Sequence, residues 1–346
     1  MDQKLPVILS VMAAALTSCT QIIQQPEAQE LVFSAVASHS AKSIISTTNY
    51  PLDEPFAVEA VYYPEEEDAA SSIFMARETV QYSSGKAVWK TRDQYYWPKN
   101  GTLLFYAGSP IVPQVSVSAD KGVEADWTAV TPEQTQTDLC FAKVTERCKA
   151  HSSAVPIVFS HALSQICFKA RSLANYSLSS QDGQFVQTDE IKVLLDSVKL
   201  SGLAARGHFT QVPLQWTIDS SHKAEYLVFR SSKGAELGMG SNDTPLLYTL
   251  NTLLLLPQSL GKDAQLMEWH RVAVHSSITD TGTGQTVSEQ SYTLSQSSVI
   301  PLSLYCPNWL MDFKYTFRLA LGMEETEMTT AITDWTEPNE IIIGDE

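Results

Sequence analysis

Apolar and polar residues alternate over many short stretches of this chain, which is the pattern of half-buried β-strands. The clearest stretch is 312–321, where apolar residues take every second position from Phe313 to Leu321. Similar stretches at 31–37 and 56–63 predict two further strands. No segment has the 3.6-residue period of a long helix, so the pattern predicts an all-β fold built from β-sandwiches.

The stretch 156–171 is the centre of the pattern. Ile157, Phe159 and His161 share one face, and the phase then slips so that Ile166 and Phe168 carry the apolar face. Such a slip within one strand indicates a β-bulge or a local twist. Polar runs lie on both sides of the stretch, which predicts that it is the first strand of a second domain, with the boundary between residues 152 and 153.

The length and the net charge of the chain limit the number of domains and the class of partner to expect. The chain has 346 residues, more than one hydrophobic core usually supports, so we expect two domains, 31–152 and 153–346. The net charge is −16, with 18% charged residues. This excess of acidic groups disfavours nucleic acid and anionic membrane surfaces as partners.

Residues 1–18 have the pattern of an export signal. Lys4 precedes an apolar run at 5–16, which is too short to span a bilayer but suits a signal peptide. The run ends in Leu16, Thr17, Ser18 and Cys19, which is similar to the bacterial lipobox. This predicts lipidation at Cys19, with 19–30 as a polar tether; the alternative is an ordinary secretory signal with a chance cysteine.

Four further cysteines could oxidise in an exported protein: Cys140, Cys148, Cys167 and Cys306. One hypothesis is a Cys140–Cys148 disulfide across a hairpin, while Cys167 and Cys306 have the surroundings of core thiols. The spacing is not that of a zinc site, and we expect no metal and no cofactor.

Enzyme motifs are absent from the sequence. It contains no H-E-x-x-H, no G-x-S-x-G, no P-loop and no dinucleotide fingerprint. His161 lies on an apolar face, as a hydrogen-bonded core histidine does. His270 and His275 are five residues apart on a predicted strand, which puts them on opposite faces. We therefore expect a protein that is not an enzyme.

Several short motifs together resemble the Bacteroidetes fimbrillin family. They are YYWP at 95–98, LFYA at 104–107, FSHALSQI at 159–166, VKLSG at 198–202, LLPQ at 255–258 and ITDW at 332–335. The resemblance covers nearly the whole mature chain. It implies two transthyretin-like Greek-key β-sandwich domains in tandem, and a structural subunit, stalk or tip, of adhesive cell-surface fimbriae.

The resemblance also implies how the subunit assembles. In the family, subunits reach the outer membrane as lipoproteins, and a protease removes the first strand. The C-terminal strand of another fimbrial subunit then fills the open groove. Lys42 is the only basic residue between Cys19 and Arg77, which makes it the possible trimming site or leaves an untrimmed anchor. The candidate donor residues are Thr333, Trp335, Ile341, Ile342 and Ile343; alternatively, this tail completes its own sheet.

A second hypothesis is a binding lipoprotein. A sandwich anchored in the outer membrane could present Tyr62, Tyr63 and Trp127 to a glycan or a protein ligand without polymerising. Core or edge packing of these aromatic residues is the alternative. The identity of a host or bacterial ligand does not follow from the sequence.

Overall fold

Strands make up nearly all of the regular structure. The computed structural model describes residues 29–37, 50–66, 68–131, 136–148, 153–174, 176–239, 247–324, 326–335 and 342–343. Apart from one 3-10 turn at Leu302–Leu304, the regular elements of these residues are all β-strands. Within the same residues, no helix is long and apolar enough to cross a membrane. The predicted all-β class is therefore confirmed.

The described residues contain twenty strands. The first ten are β1 Phe33–Ala37, β2 Phe56–Tyr63, β3 Ser72–Ser83, β4 Val88–Thr91, β5 Thr102–Ser109, β6 Val115–Ser118, β7 Gly122–Thr128, β8 Cys140–Arg147, β9 Val155–His161 and β10 Ser164–Ser172. The second ten are β11 Tyr176–Asp182, β12 Phe185–Thr210, β13 Gln215–Glu236, β14 Tyr248–Thr249, β15 Leu253–Leu255, β16 Gln265–Asp280, β17 Thr286–Pro301, β18 Phe313–Leu321, β19 Thr326–Asp334 and β20 Ile342–Ile343.

Seven strands form a first sheet that closes on itself, in the order β1-β4-β3-β2-β5-β8-β9. Alternate residues of these strands point inward, because successive side chains of a strand face opposite sides. The interior is aromatic: Phe56, Phe105 and Phe159 are fully buried and Trp89 packs beside them. This core belongs to the first unit alone.

The second unit is a sandwich of two sheets. One sheet has the order β14-β10-β18-β19-β20, with β15 also pairing with β10. The other has the order β17-β16-β12-β7-β6, with β11 and β13 also pairing with β12. Phe168 and Phe317 from the first of these sheets share one core with Val272 from the second. The Greek-key, transthyretin-like connectivity of the two units stays a prediction.

The central stretch 156–171 is two strands rather than one. β9 closes the first sheet beside β8 and β1, and β10 belongs to the sandwich. The phase slip in the sequence marks the crossover at Ala162 and Leu163 rather than a bulge. The chain therefore passes from the first sheet to the sandwich at a later position than the predicted domain boundary between residues 152 and 153. In addition, β6 and β7 precede that boundary in sequence but pair into the sandwich through β12.

The four described cysteines are buried and free, so the Cys140–Cys148 disulfide hypothesis is wrong. Cys140 is the first residue of β8 and Cys148 directly follows the last. At about 3.3 Å per residue, the two ends of an eight-residue strand are roughly 25 Å apart, far beyond the reach of a disulfide. The residues predicted to cross a hairpin in fact span a single strand.

Candidate functional site

Strand β1 occupies a slot between β4 and β9 in the first sheet. It runs parallel to β9 through five residue pairs, from Phe33–Val155 to Ala37–Phe159. Against β4 it has a single antiparallel pair, Phe33–Trp89. β1 is thus the strand that closes the sheet, and its ladder with β4 consists of one residue pair.

The side chains of β1 and of Leu31 just before it complete the core of the first unit. Leu31 and Phe33 are each 1% exposed, and Ala35 is 9% exposed. The ring of Phe33 meets Phe105 edge to face, with centroids 5.8 Å apart, and meets Phe56 in the same way at 6.4 Å. Edge-to-face pairs at these separations are favourable beyond the area they bury. Without β1 this core would have an open groove.

The chain is fixed on both sides of β1. Before it, Leu31 N–H donates to Tyr95 O at 2.8 Å, and Trp97 N–H donates to Gln29 O at 3.0 Å. After it, Tyr50 is buried, stacks on Phe159 with centroids 4.8 Å apart and donates its hydroxyl to Ser109 Oγ at 2.6 Å. Burial raises the pKa of the Tyr50 phenol. A cut between β1 and Tyr50 would therefore leave Tyr50 in place.

Two residues with predicted roles, Cys19 and Lys42, lie outside the described residues. Lys42 falls between β1 and Tyr50 in the sequence. The candidate donor residue Ile341 lies outside the described residues as well.

The remaining candidate donor residues are found in the chain's own sandwich. Thr333 is part of β19, is buried and pairs with Lys314 of β18. Ile342 and Ile343 pair with Ala331 and Thr330 on the other side of β19. In this single chain the tail completes its own sheet, which is the alternative that the sequence left open.

Trp335 follows β19 directly and lies flat on His161, with ring centroids 4.1 Å apart. Both Thr333 and Trp335 are thus built into their own subunit. A strand cannot hold that position and fill a neighbour's groove at the same time. In this single chain Ile342 and Ile343, of the isoleucine segment 341–343, also lie in their own sandwich, so the donor role of Thr333, Trp335 and the isoleucine segment stays a prediction.

The histidines lie as their spacing indicates. His270 is buried, whereas His275 lies on the opposite face of β16, where its Nδ1 contacts Ser291 Oγ at 2.9 Å. His161 is also buried, and its Nδ1 is hydrogen-bonded to Asp138 Oδ2. The interpretation of His161 as a hydrogen-bonded core histidine is confirmed.

The three candidate ligand-binding aromatics do not form one surface. Tyr62 packs against the first core and donates to Asn100 Oδ1 at 3.2 Å, and Tyr63 is 42% exposed. Trp127 packs against the sandwich core and lines a cavity of ≈ 270 Å³ together with Gln114 and Thr137. Of the three, only Trp127 is in a concave site.

Two β units in tandem, the first closed by an N-terminal strand, define the class of this protein as a two-domain all-β protein. The sequence profile described as fimbrillin-like matches residues 46–335, most of the chain. The chain therefore belongs to the fimbrillin-like family. Membership supports a fimbrial or adhesive role at the cell surface and a structural rather than an enzymatic protein. No curated protein sequence matches the chain.

Solved structures share the fold at low sequence identity. A candidate cell adhesion protein from Bacteroides ovatus superposes with a TM-score of 0.51 at 14% identity, over 90% of this chain and 99% of the other. One from Bacteroides uniformis gives a TM-score of 0.49 at 12% identity, over 89% and 99%. The fimbrial anchor protein Mfa2 from Porphyromonas gingivalis gives 0.33 at 12% identity, over 89% and 98%. Only the first of these scores exceeds 0.5, and at 14% identity it shows the fold alone.

Proposed function

We propose that this protein is a structural subunit of a cell-surface fimbrium, assembled by donor-strand exchange after export as a lipoprotein. The observation that carries the proposal is the position of β1. One short strand, followed by a segment that contains the only lysine or arginine between Cys19 and Arg77, closes an otherwise complete sheet. Removing that strand converts a closed subunit into an acceptor.

The free energy that β1 contributes explains why its slot must be refilled. Leu31 and Phe33 are fully buried, and burial of each such side chain is worth roughly 1.5–3 kcal/mol. Removal of β1 also leaves the backbone groups of β9 that face it unpaired, and an open edge of this kind pairs readily with another chain. A trimmed subunit therefore has a strong tendency to accept a strand.

The isoleucine segment suits the donor role. Within the described residues, two residue pairs join β20 to β19 and five join β1 to β9. In an extended chain Ile341 and Ile343 would point to the same side, as Leu31 and Phe33 do, so two isoleucines would replace the side chains of Leu31 and Phe33.

Export and trimming complete the proposal. Lipidation of Cys19 would place the subunit in the outer membrane, and cleavage near Lys42 would free it from the lipid and from β1 together. In the trimmed chain, Tyr50 would hold the new N-terminal segment to the core, because it stacks on Phe159 and donates a hydrogen bond to Ser109. A copy that keeps β1 is already closed and would serve as an anchor or cap, whereas a trimmed copy would serve as stalk or tip.

A test uses a purified chain with an engineered protease site between β1 and Tyr50. Cleavage and removal of the first strand should give oligomers that resist dissociation, seen as a ladder in mild SDS electrophoresis. The matched control is the same chain after removal of residues 336–346, which leaves β19 intact and should stay monomeric after cleavage. A cleaved full chain that remains monomeric would contradict donor-strand assembly.

The second candidate function is a lipid-anchored binding protein that does not polymerise. The cavity beside Trp127 favours it, because one half-buried indole with neighbouring amide and hydroxyl groups suits the stacking and hydrogen bonding of a sugar. This function predicts glycan binding by the uncleaved monomer that is lost in Trp127→Ala. The fimbrial function predicts no effect of that substitution on the ladder.

A further inference from the structure

A second site of different chemistry lies where the chain passes from the first sheet to the sandwich. Cys140 begins β8 and His161 ends β9, and the two residues are paired directly opposite each other in the antiparallel ladder. Side chains at such paired positions lie on the same face of the sheet. Asp138 precedes Cys140 by two residues and so reaches the same side. His161 is thereby brought to two residues that lie 21 and 23 positions earlier in the sequence.

The three donor atoms are close enough to share one ion. The Cys140 thiol donates to Asp138 Oδ2 at 3.3 Å, and Cys140 Sγ lies 3.7 Å from His161 Nδ1. All three ligand atoms lie within 4.8 Å of one another. In a tetrahedral zinc site, with Zn–S of about 2.3 Å and Zn–N or Zn–O of about 2.0–2.1 Å, a sulfur and a neighbouring ligand atom are about 3.5 Å apart. The two sulfur distances are close to this edge, whereas His161 Nδ1 and Asp138 Oδ2 are in direct hydrogen-bond contact and would have to move apart to admit an ion.

The polar atoms of the cluster are incompletely satisfied by the protein. His161 is 7% exposed, and its Nε2 has no hydrogen-bond partner among the described residues, nor does the buried Asp138 Oδ1. The Nδ1–H of a neutral His161 donates to Asp138 Oδ2, so this contact fixes the tautomer of the neutral ring. Buried polar groups without partners are rare in folded proteins and call for an explanation.

Negative charge is concentrated at this site. The carboxylate of Asp312 accepts a hydrogen bond from His161 N–H at 3.1 Å. The Asp138 carboxylate contacts the Nδ1 of the same residue. Two acidic side chains are thus in contact with His161.

We infer that Asp138, Cys140 and His161 form a binding site for one divalent transition-metal ion, of the class that includes Zn²⁺. One carboxylate oxygen, one thiolate and one imidazole nitrogen are the donor set that suits such ions better than Mg²⁺ or Ca²⁺. Water supplies the fourth position. On binding, the Cys140 thiol loses its proton to solvent, and the Nδ1 proton of a neutral His161 moves to Nε2, so one proton is released for each ion bound.

The site lies at the end of β9, beyond Phe159, the last β9 residue that pairs with β1. Its position gives it a structural role, because His161 is the last residue before the crossover. A bound ion would tie the end of β9 to the start of β8. The inference thus adds a metal to a chain whose cysteine spacing had indicated none.

The test is titration of the metal-free, full-length mature protein with Zn²⁺ alone and with Co²⁺ alone. Calorimetry should show one equivalent of Zn²⁺ bound, with an affinity that falls as the pH is lowered. Co²⁺ should give a thiolate-to-metal charge-transfer band in the near ultraviolet. Zn²⁺ should also raise the Tm, because it binds the folded state.

The variants separate this site from adventitious binding. Cys140→Ser should abolish the Co²⁺ band and weaken Zn²⁺ binding by about tenfold or more. The matched control is Cys148→Ser, at the other end of β8, which should change neither. Asp138→Asn provides a second variant of near-identical size, and circular dichroism in EDTA checks that each variant folds. Absence of the band in the wild type, or equal binding by Cys140→Ser and wild type, would overturn the inference.

Discussion

The indole of Trp335 stacks on the imidazole of His161, with centroids 4.1 Å apart and planes only 3° from parallel. His161 ends β9 in the first unit, and Trp335 directly follows β19 in the sandwich. One ring pair thus joins the two units near the point where the chain crosses between them. Asp312 also holds the chain at this crossover. Its N–H donates to Leu163 O at 3.0 Å, and its carboxylate accepts from His161 N–H.

The first prediction concerns this ring pair. Trp335→Ala should lower the free energy of unfolding by about 2 kcal/mol, because a half-buried aromatic contact is lost. Trp335→Phe should lose less than half of that, since a smaller ring can still stack. Urea denaturation of both variants measures the difference. Equal losses in the two variants would show that stacking on His161 contributes nothing.

The second prediction concerns a buried ion pair in the sandwich. His270 Nδ1 lies 2.9 Å from Glu268 Oε2, and its Nε2 lies 2.9 Å from Gly322 O, so both ring nitrogens face acceptors. Burial alone lowers the pKa of His270, but the Glu268 carboxylate and the Gly322 carbonyl outweigh it and raise the pKa above its ordinary value. Histidine is therefore the charged imidazolium here.

A raised pKa fixes the sign of the pH dependence. The stabilisation by this pair should be complete below about pH 6.5, the ordinary histidine pKa, and should be lost as pH rises through the higher pKa of the folded state. His270→Gln should cost about 3–5 kcal/mol at pH 6, because Glu268 is left buried without its counter-charge. That cost should shrink towards alkaline pH.

Denaturation of wild type and His270→Gln across pH 5–9 measures this effect. The control is His275→Gln, on the exposed face of the same strand, which should follow the wild type throughout. A constant difference between wild type and His270→Gln at all pH values would contradict the imidazolium assignment.

The third prediction tests the contribution of β1 to the untrimmed chain. Phe33→Ala removes a fully buried ring and should lower the stability by about 3–5 kcal/mol. Ser34→Ala, on the exposed side of the same strand, should have little effect. Cleavage after β1 and removal of that strand also remove residue 33. Oligomers made from cleaved wild type and from cleaved Phe33→Ala should therefore have the same thermal stability. A persistent difference would show that β1 stays bound after cleavage.

The fourth prediction concerns export. Cys19→Ala should prevent acylation and processing by the lipoprotein peptidase, because the thiol is the acceptor of the lipid. Labelling of cells with a fatty-acid analogue and partitioning into detergent measure the outcome. Unchanged labelling and partitioning in the variant would contradict the lipobox assignment.

Strands with strict alternation could be predicted from the sequence. The predicted strand at 56–63 has the bounds of β2, and 312–321 corresponds to β18, although both faces of each strand carry buried residues. Residues 269–275 and 287–294 also alternate on either side of a glycine-containing loop, which predicts a pair of strands. β16 and β17 do pair, but residues 269–275 lie opposite 291–297, so the local pattern predicts the strands and not their register.

The long strand β12 could not be predicted in this way. Gly202 and Gly207 indicated turns, yet both lie within β12. Gly202 has φ +74°, and a Cβ there would lie 1.8 Å from Asp263 O, so the glycine permits a close approach of two backbones. Similarly, the cluster of Asp138, Cys140 and His161 depends on the register of two strands, which residue spacing does not contain.

The slot that β1 fills and the C-terminal tail lie on different parts of one chain. This limits the symmetry of an assembly formed by strand exchange. In the proposed strand exchange, an interface between two unlike patches that does not close into a ring repeats head to tail and gives an open polymer with two distinct ends. At one end an empty slot remains, and at the other a free tail. A copy that retains β1 can donate its tail but cannot accept one. In such a filament it would therefore occupy one end only, where its tail fills the slot that would otherwise remain empty. Proteolysis at a single segment would thus set both the direction of growth and its terminus.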